Sequence, residues 1–452
     1  MPRIGASERI CAMKWSSLPT LTFVLALAAC ASLTSEVQTP TAATTEEPPA
    51  AITPTLSASA GAAAQTEAAT STTATAPTTA ETATPAYPTP NPNPRCEVLN
   101  LPVATNLPPI TEQDWSRGAA DAPVTVIEYA DFQCPACAGV SPLIKQLLEA
   151  EKNKVRLVYR HFPLTSIHDK AMITAEGAEA AGAQGKFWEM HALLYERQRA
   201  WAAKNTDEMP DVLAGYAQEL GLDIAQFKQA LAEHTYRAKV QQQYDDAIAL
   251  GLPGTPSLIF NDVHYPADQL GFSELALKFF LYIIAFRDPP PQVIRADKQY
   301  QATIQTEKGD IVVELFADRT PLTVNNFVYL AQHGWYDNTT FHRVIRGFVA
   351  QGGDPTATGS GMPGYRCSDE LTPQLSFDKP GMMGMANSGP NTNGAQFFIT
   401  LDAQPALNGR YPVFGRVVSG MEVVKSLSER DPQKAAPDQP GDRIIRITIQ
   451  EL

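Results

Sequence analysis

Basic surplus is absent from this chain of 452 residues: 35 Lys and Arg stand against 48 Asp and Glu, a formal net charge of −13. A nucleic-acid partner calls for a basic face, so nucleic acid is not among the expected partners. Cysteine is sparse, six in all, and only Cys134 and Cys137 share a close spacing. A zinc site wants a second close pair of ligands, so no metal is expected. Long apolar runs are also missing. Leu18–Ala29 is too short to span a bilayer comfortably, which takes about 20 residues. Aromatics nearly vanish from Ala31 to Arg95, where Tyr87 is the only one. That stretch is rich in Thr, Ala and Pro, and it cannot bury enough apolar surface to offset its ordering entropy. Residues 31–110 are therefore read as a disordered tether, stiffer and more extended over Pro85–Pro94.

Ahead of the tether, Arg3, Arg9 and Lys14 give a basic start, and the apolar run closes on Leu27-Ala28-Ala29-Cys30. This tetrad resembles the lipobox of bacterial lipoproteins. The resemblance implies that residues 1–30 are a targeting segment and that Cys30 is lipidated. The membrane, reached through a lipid anchor, then becomes a partner, and the location is extracytoplasmic. A plain secretory signal with a chance cysteine is the other reading. Cys96 and Cys367 are left over; a bridge between them and two separate thiols are both open.

Beyond the tether, two unlike patterns follow. Residues 111–286 read strand, helix, strand, a long Ala-rich helical stretch from Asp169 to about Leu250, strand, helix, which is an α/β order. The first strand is Pro123–Ala130. The first helix, Pro135 to about Ala150, has Leu143, Leu147 and Leu148 on one stripe. Residues 287–299 form a Pro-rich linker. Residues 300–452 alternate strands with Gly-rich turns: QATIQT, DIVVELF, FVAQGGD, AQFFITL, VFGRVV and RIIRITIQEL. One clear helix, Pro321–His333, interrupts them, with Thr320 placed to cap it and Gly334 to stop it. This half is expected to be a mostly antiparallel barrel. The overall fold class is multidomain: α/β with a helical insertion, then a β-barrel.

Cys134-Pro135-Ala136-Cys137 opens the first helix. A helix N-terminus stabilises a thiolate, so Cys134 is expected to titrate below a free thiol. One helical turn brings Cys137 near enough to resolve a mixed disulfide. With these residues, Pro142 inside the helix, Glu128 on the preceding strand and the Thr255-Pro256 loop, residues 115–286 resemble thioredoxin-fold disulfide oxidoreductases of the DsbA-like branch. The resemblance implies catalysis by Cys134 and Cys137, a proton relay at Glu128, and substrate pairing along a cis-proline loop at Thr255 and Pro256. Phe132-Gln133 replaces the tryptophan of thioredoxins, and Pro-Ala replaces the Pro-His of strong oxidants, so the redox direction stays open. His161 and His168 are read as structural or solvent-facing.

FHRVIRGFVAQGGD (Phe341–Asp354) and MANSGPNTNGAQFFIT (Met385–Thr400) are long and specific, and from Tyr300 to Leu452 the chain resembles cyclophilins. The resemblance implies prolyl isomerisation with Arg343 as the catalytic guanidinium. It also implies Phe348, Phe398 and Leu407 around the proline ring, Gln351 on the substrate carbonyl, Asn387 on the substrate backbone, and Tyr411 capping the pocket where His is common. Arg346 stands in place of a usual proline. Ala406 stands where cyclosporin-sensitive members carry tryptophan. His342 is read as shaping the strand. No cofactor is implied. Together the two halves imply an extracytoplasmic folding catalyst acting on unfolded or folding clients and served by a separate redox partner. A non-catalytic peptide-binding chaperone and a disulfide reductase are the rival readings.

Overall fold

The computed structural model describes residues 91–452 apart from 433, 436–438 and 440. The expected targeting segment 1–30, its Cys30 and the tether up to residue 90 lie outside the described residues. No described helix is long and apolar enough to cross a membrane.

The described chain opens on a short strand, β1 (Cys96–Val98). The proximal domain then places β2 (Trp115–Gly118), β3 (Val124–Ala130), β4 (Val155–His161), β5 (Ser257–Phe260) and β6 (Val263–His264) in one sheet, in the order β2-β4-β3-β5-β6. β3 and β4 are parallel, and the other pairings are antiparallel. β3 is buried nearly throughout because helices cover both its faces, as its unbroken VTVIEYA run requires. Val124 and Val126 face the helices Pro135–Ala150 and Glu274–Ala285. Ile127 and Tyr129 face the other way, toward Ala247 and Leu252. On the Pro135–Ala150 helix the buried stripe runs through Cys137, Val140, Ile144 and Leu147, with Leu143 and Leu148 at its margins. The helical insertion breaks more often than expected, at Ala183–Lys186, Arg197 and Glu233–Tyr236 as well as near Asn205 and Gly221.

The disordered-tether reading fails over residues 96–110. β1 pairs with a strand of the distal domain, and Cys96 is bonded to Cys367. His264 N–H donates to Pro102 O at 2.9 Å, and Ala104 N–H donates to Asp262 O at 2.7 Å, extending the proximal sheet edge. Ala104, Leu107 and Ile110 pack into the core beneath Ile127 and Tyr129. The buried Arg160 guanidinium donates to Pro108 O at 3.1 Å and to Pro109 O at 2.9 Å. Composition misjudged this arm because its partners lie far along the chain.

The distal domain has β7 (Tyr300–Thr306), β8 (Gly309–Leu315), β9 (Thr339–Phe341), β10 (Arg343–Val344), β11 (Val349–Gly352), β12 (Tyr365–Cys367), β13 (Met382–Met385), β14 (Phe397–Thr400), β15 (Val413–Ser419) and β16 (Asp442–Glu451). All but β12 join one antiparallel sheet, ordered β10-β11-β14-β13-β15-β8-β7-β16-β9. A bridge between Thr340 on β9 and Asp354, just past β11, brings its ends together, so the barrel is nearly closed. β9, β10, β12 and β13 are too short or too rich in Met and Gly to stand out in the sequence. The helix Pro321–Gln332 fills one barrel mouth with Val324, Phe327, Val328 and Leu330. Thr320 does not cap it: its hydroxyl donates to Phe316 O. Glu370 does so instead, accepting from Leu322 N–H at 3.0 Å and from Thr323 N–H at 2.7 Å.

The linker is not loose. Val293 N–H donates to Asn325 Oδ1 at 2.7 Å, and Ile294 is buried in the barrel core. Tyr282 and Phe286, at the end of the proximal domain, stand edge-on against the buried Trp335, with ring centroids 5.5 and 5.0 Å away. Such ring pairs contribute about 0.5–1.5 kcal/mol each beyond area burial.

Candidate active sites

Cys134 sits at the N-cap of the Pro135–Ala150 helix, in extended backbone conformation, with Pro135 in the first turn. A proline there gives up only an amide that the helix start would leave unpaired. Both cysteines are free thiols, Cys134 6% exposed and Cys137 fully buried. As a thiol, Cys134 donates to Thr255 O at 3.3 Å, and the Thr255–Pro256 peptide is cis. Hydrogen bonding at the sulfur, with the Cys137 thiol first, then Thr255 and the Cys137 and Ala136 amides, brings Cys134 down to about 5 against the opposing effect of burial. Burial pushes Cys137 far up. The pair is thus strongly split: one sulfur ionises readily and the other holds its proton.

Glu128 lies behind the pair on β3. It is buried, its Oε1 has no partner, and burial raises the carboxyl to about 8. Its negative charge opposes ionisation of Cys137. The loop before Cys134 is held from several sides. Asp131 accepts from Gln133 N–H, Leu164 N–H and His168 Nδ1 at 2.7, 2.9 and 2.7 Å. Gln198 Nε2 donates to Phe132 O at 2.7 Å and to Cys134 O at 2.8 Å. His161 is buried, with Nε2 3.0 Å from the Glu179 carboxylate. Both expected histidines therefore serve buried carboxylates. Gln198 was invisible in the sequence, because it comes from the inserted helices and carries no local signal.

The distal site is built by strand register. Arg343 on β10 lies opposite Gln351 on β11, which lies opposite Phe398 on β14, which lies opposite Gly384 on β13. Directly opposed residues share a face of the sheet, so these form one row. The Arg343 guanidinium stands 5.6 Å from the Phe348 ring. Among the described residues it has no hydrogen-bond or ion-pair partner, which leaves its N–H groups free to donate. Gln351 Nε2 donates to Gln396 Oε1 at 2.9 Å, and Gln396 in turn donates to Gly359 O and Gly361 O. Phe348, Phe398, Leu407 and Tyr411 share one small apolar cluster apart from the barrel core. Phe398 and Tyr411 meet edge to face at 5.6 Å.

Gly384 makes room for this wall: a Cβ there would lie 2.6 Å from Phe377 Cζ and 2.8 Å from Phe398 Cζ. Asn387 Nδ2 donates to Asn393 Oδ1 at 3.1 Å and to Asp369 Oδ1 at 3.3 Å. Its own main-chain N–H and C=O bond to nothing within the described chain. Arg346 does not disturb the row, because its guanidinium donates to Lys425 O at 2.5 Å. Ala406 lies in the short turn Pro405–Leu407. His342 is buried with both ring nitrogens unpartnered, and burial lowers its basicity. Gln396 and Gly384 escaped the sequence reading. Counting in twos back from Phe398 would have put Gln396 on the same face.

Residues 301–449 match the family described as cyclophilin type peptidyl-prolyl cis-trans isomerase. Peptidyl-prolyl cis-trans isomerase A of Mycobacterium tuberculosis is 45% identical over 165 residues, covering 33% of this chain and 90% of that protein. The chain belongs to the cyclophilin family. Another member, peptidyl-prolyl cis-trans isomerase CYP18-1 of Arabidopsis thaliana, is 47% identical over 152 residues, covering 32% of this chain and 94% of that protein. This cyclophilin also carries a thioredoxin-like domain, since residues 111–275 match the thioredoxin family.

Proposed function

We propose that this cyclophilin is a two-site folding catalyst working outside the cytoplasm. The distal domain isomerises X-Pro bonds in unfolded or folding clients. Amide conjugation makes that rotation cost about 18–20 kcal/mol. Arg343 donates to the prolyl nitrogen lone pair, which is available only in the twisted state, so it binds the transition state better than either ground state. Phe348, Phe398, Leu407 and Tyr411 hold the proline ring, Gln351 holds the preceding carbonyl, and Asn387 meets the substrate backbone through its main chain. The observation that carries this half is the in-register row of Arg343, Gln351 and Phe398 with an unpaired guanidinium at its end.

The proximal domain exchanges thiols and disulfides. With Cys134–Cys137 oxidised, a client thiolate attacks Cys134 sulfur and breaks the bond. Cys137 leaves and takes up a proton by way of Glu128. A second client thiolate then closes the client disulfide and expels Cys134 as its thiolate. The client loses two electrons, the pair gains them, and a separate redox partner restores the bond. Thr255 and Pro256 line the approach to Cys134. The depressed Cys134 thiol makes a good leaving group, which favours an oxidase. A reductase is the second reading. The Cys96–Cys367 bond supports an oxidising compartment, and a lipid at Cys30 would fasten the chain to a membrane.

Arg343→Ala is expected to lower kcat/KM on a prolyl peptide in a protease-coupled assay by about 10²–10³-fold. Parental activity in that variant would overturn the prolyl half and favour a peptide-binding chaperone. Equilibration with glutathione reports the redox half. A potential near thioredoxin's, about −270 mV, would replace the oxidase with the reductase.

A further inference from the structure

We propose that the Cys96–Cys367 disulfide is a positioning element of the prolyl site, and that opening it weakens substrate binding there. The inference rests on the prolyl reading above. Cys96 lies far outside residues 301–449, so this device is an addition of this chain to the cyclophilin domain.

β12 does not belong to the barrel sheet. It has β1 along one side and Asn393 on the other. Cys367 N–H donates to Asn393 O at 2.7 Å, and Asn393 N–H returns a bond to Cys367 O at 3.2 Å. Asn393 Oδ1 then accepts from Asn387 Nδ2 at 3.1 Å. A second line runs through Asp369, whose carboxylate accepts from Asn393 Nδ2 at 2.7 Å, Asn391 N–H at 2.8 Å and Asn387 Nδ2 at 3.3 Å. Ser368, between Cys367 and Asp369, is tied to the arm as well: its N–H donates to Arg95 O at 2.9 Å. The segment 367–369 thus has the arm on its outer side and the loop bearing Asn387 on its inner side.

The arm strand cannot hold this place by packing. It is only three residues long, with Glu97 and Val98 exposed, and an isolated pair of short strands is marginal in water. A few hydrogen bonds, such as Leu99 N–H to Gly364 O at 2.8 Å, tie it to the distal domain, and the sulfur–sulfur bond is its covalent link there. Two-electron reduction by a dithiol such as dithiothreitol transfers two hydrogens to Cys96 and Cys367 and leaves the reagent as its cyclic disulfide. The strand is then held to the distal domain by hydrogen bonds alone, and the outer support of the loop presenting the Asn387 main chain loosens. Arg343, on the far side of the row, is untouched, so binding suffers while the chemical step does not.

The test measures kcat and KM on a prolyl peptide with the full chain, before and after dithiothreitol, beside a Cys96→Ser/Cys367→Ser variant. Reduction is expected to raise the parent's KM about fivefold, with kcat held within about twofold. The double variant is expected to show the raised KM at the outset and no response to dithiothreitol. Asp369→Asn is expected to raise KM in the same direction with the disulfide intact. An active parent whose KM ignores complete reduction, checked by mass, would overturn this inference alone, and that arm decides even where the double variant fails to fold. A KM response that persists in the double variant also overturns it, by tracing the effect to other cysteines. A parent without isomerase activity would sink the prolyl reading first, and this inference with it.

Discussion

The thiol site and the prolyl site solve positioning in opposite ways. The thiol site is made at a helix end, where amides and one neighbouring thiol reshape the chemistry of a sulfur. Its working quantities are acidities: Cys134 near 5, Glu128 near 8, Cys137 pushed far up. The prolyl site is made by strand register, and its working quantity is the free donor capacity of Arg343. One site is therefore tuned by charge and burial, and the other by alignment. The first should answer to protons and the second to shape.

The sharpest way to break that contrast is a pH profile. Cys134 should react with iodoacetamide with half-maximal rate near pH 5, about four pH units below an ordinary thiol, while Cys137 stays unreactive. Prolyl turnover should be flat from about pH 6 to 8. Alkylation that rises only above about pH 8 would remove the claim that the helix end tunes the sulfur.

Next in size is Glu128→Gln. A buried carboxyl raised to about 8 binds a proton that the unfolded chain has released, so stability falls as pH rises from about 4.5 to 8. Removing the charge should raise stability at pH 8 relative to pH 4 by several kcal/mol, read from denaturant midpoints at the two pH values. Equal effects at both would mean the carboxylate finds a partner.

Smaller still is Gly384→Ala. Its Cβ would meet Phe377 and Phe398, and overpacking of this kind costs about 1–3 kcal/mol. Thermal melting should drop accordingly and KM for a prolyl peptide should rise, with Cys134 reactivity unchanged. An unaltered KM would show that the Phe398 ring tolerates displacement.

Much of each site was legible because its chemistry is local. The Cys-Pro-Ala-Cys step writes its own helix start, and the two long distal motifs carry Arg343, Gln351, Phe398 and Asn387 within themselves. What stayed hidden was supplied from afar. Gln198 reaches the Cys134 loop from an inserted helix. Glu370 caps a helix that Thr320 was expected to cap. Asp369 braces the Asn387 loop from outside both motifs. The arm 96–110 was misread because low-complexity sequence precedes it and both of its partners come later in the chain. The open choice over Cys96 and Cys367 is settled as a bond, and only three-dimensional pairing could settle it.

That bond spans 271 positions, and the span has a consequence for biogenesis. Synthesis delivers Cys96 before any of the proximal domain and Cys367 well into the distal one. Throughout the interval Cys96 waits without its partner, upstream of the Cys134 and Cys137 thiols. A Cys96 bonded to either of those sulfurs would detach the leading segment from the place where it is needed.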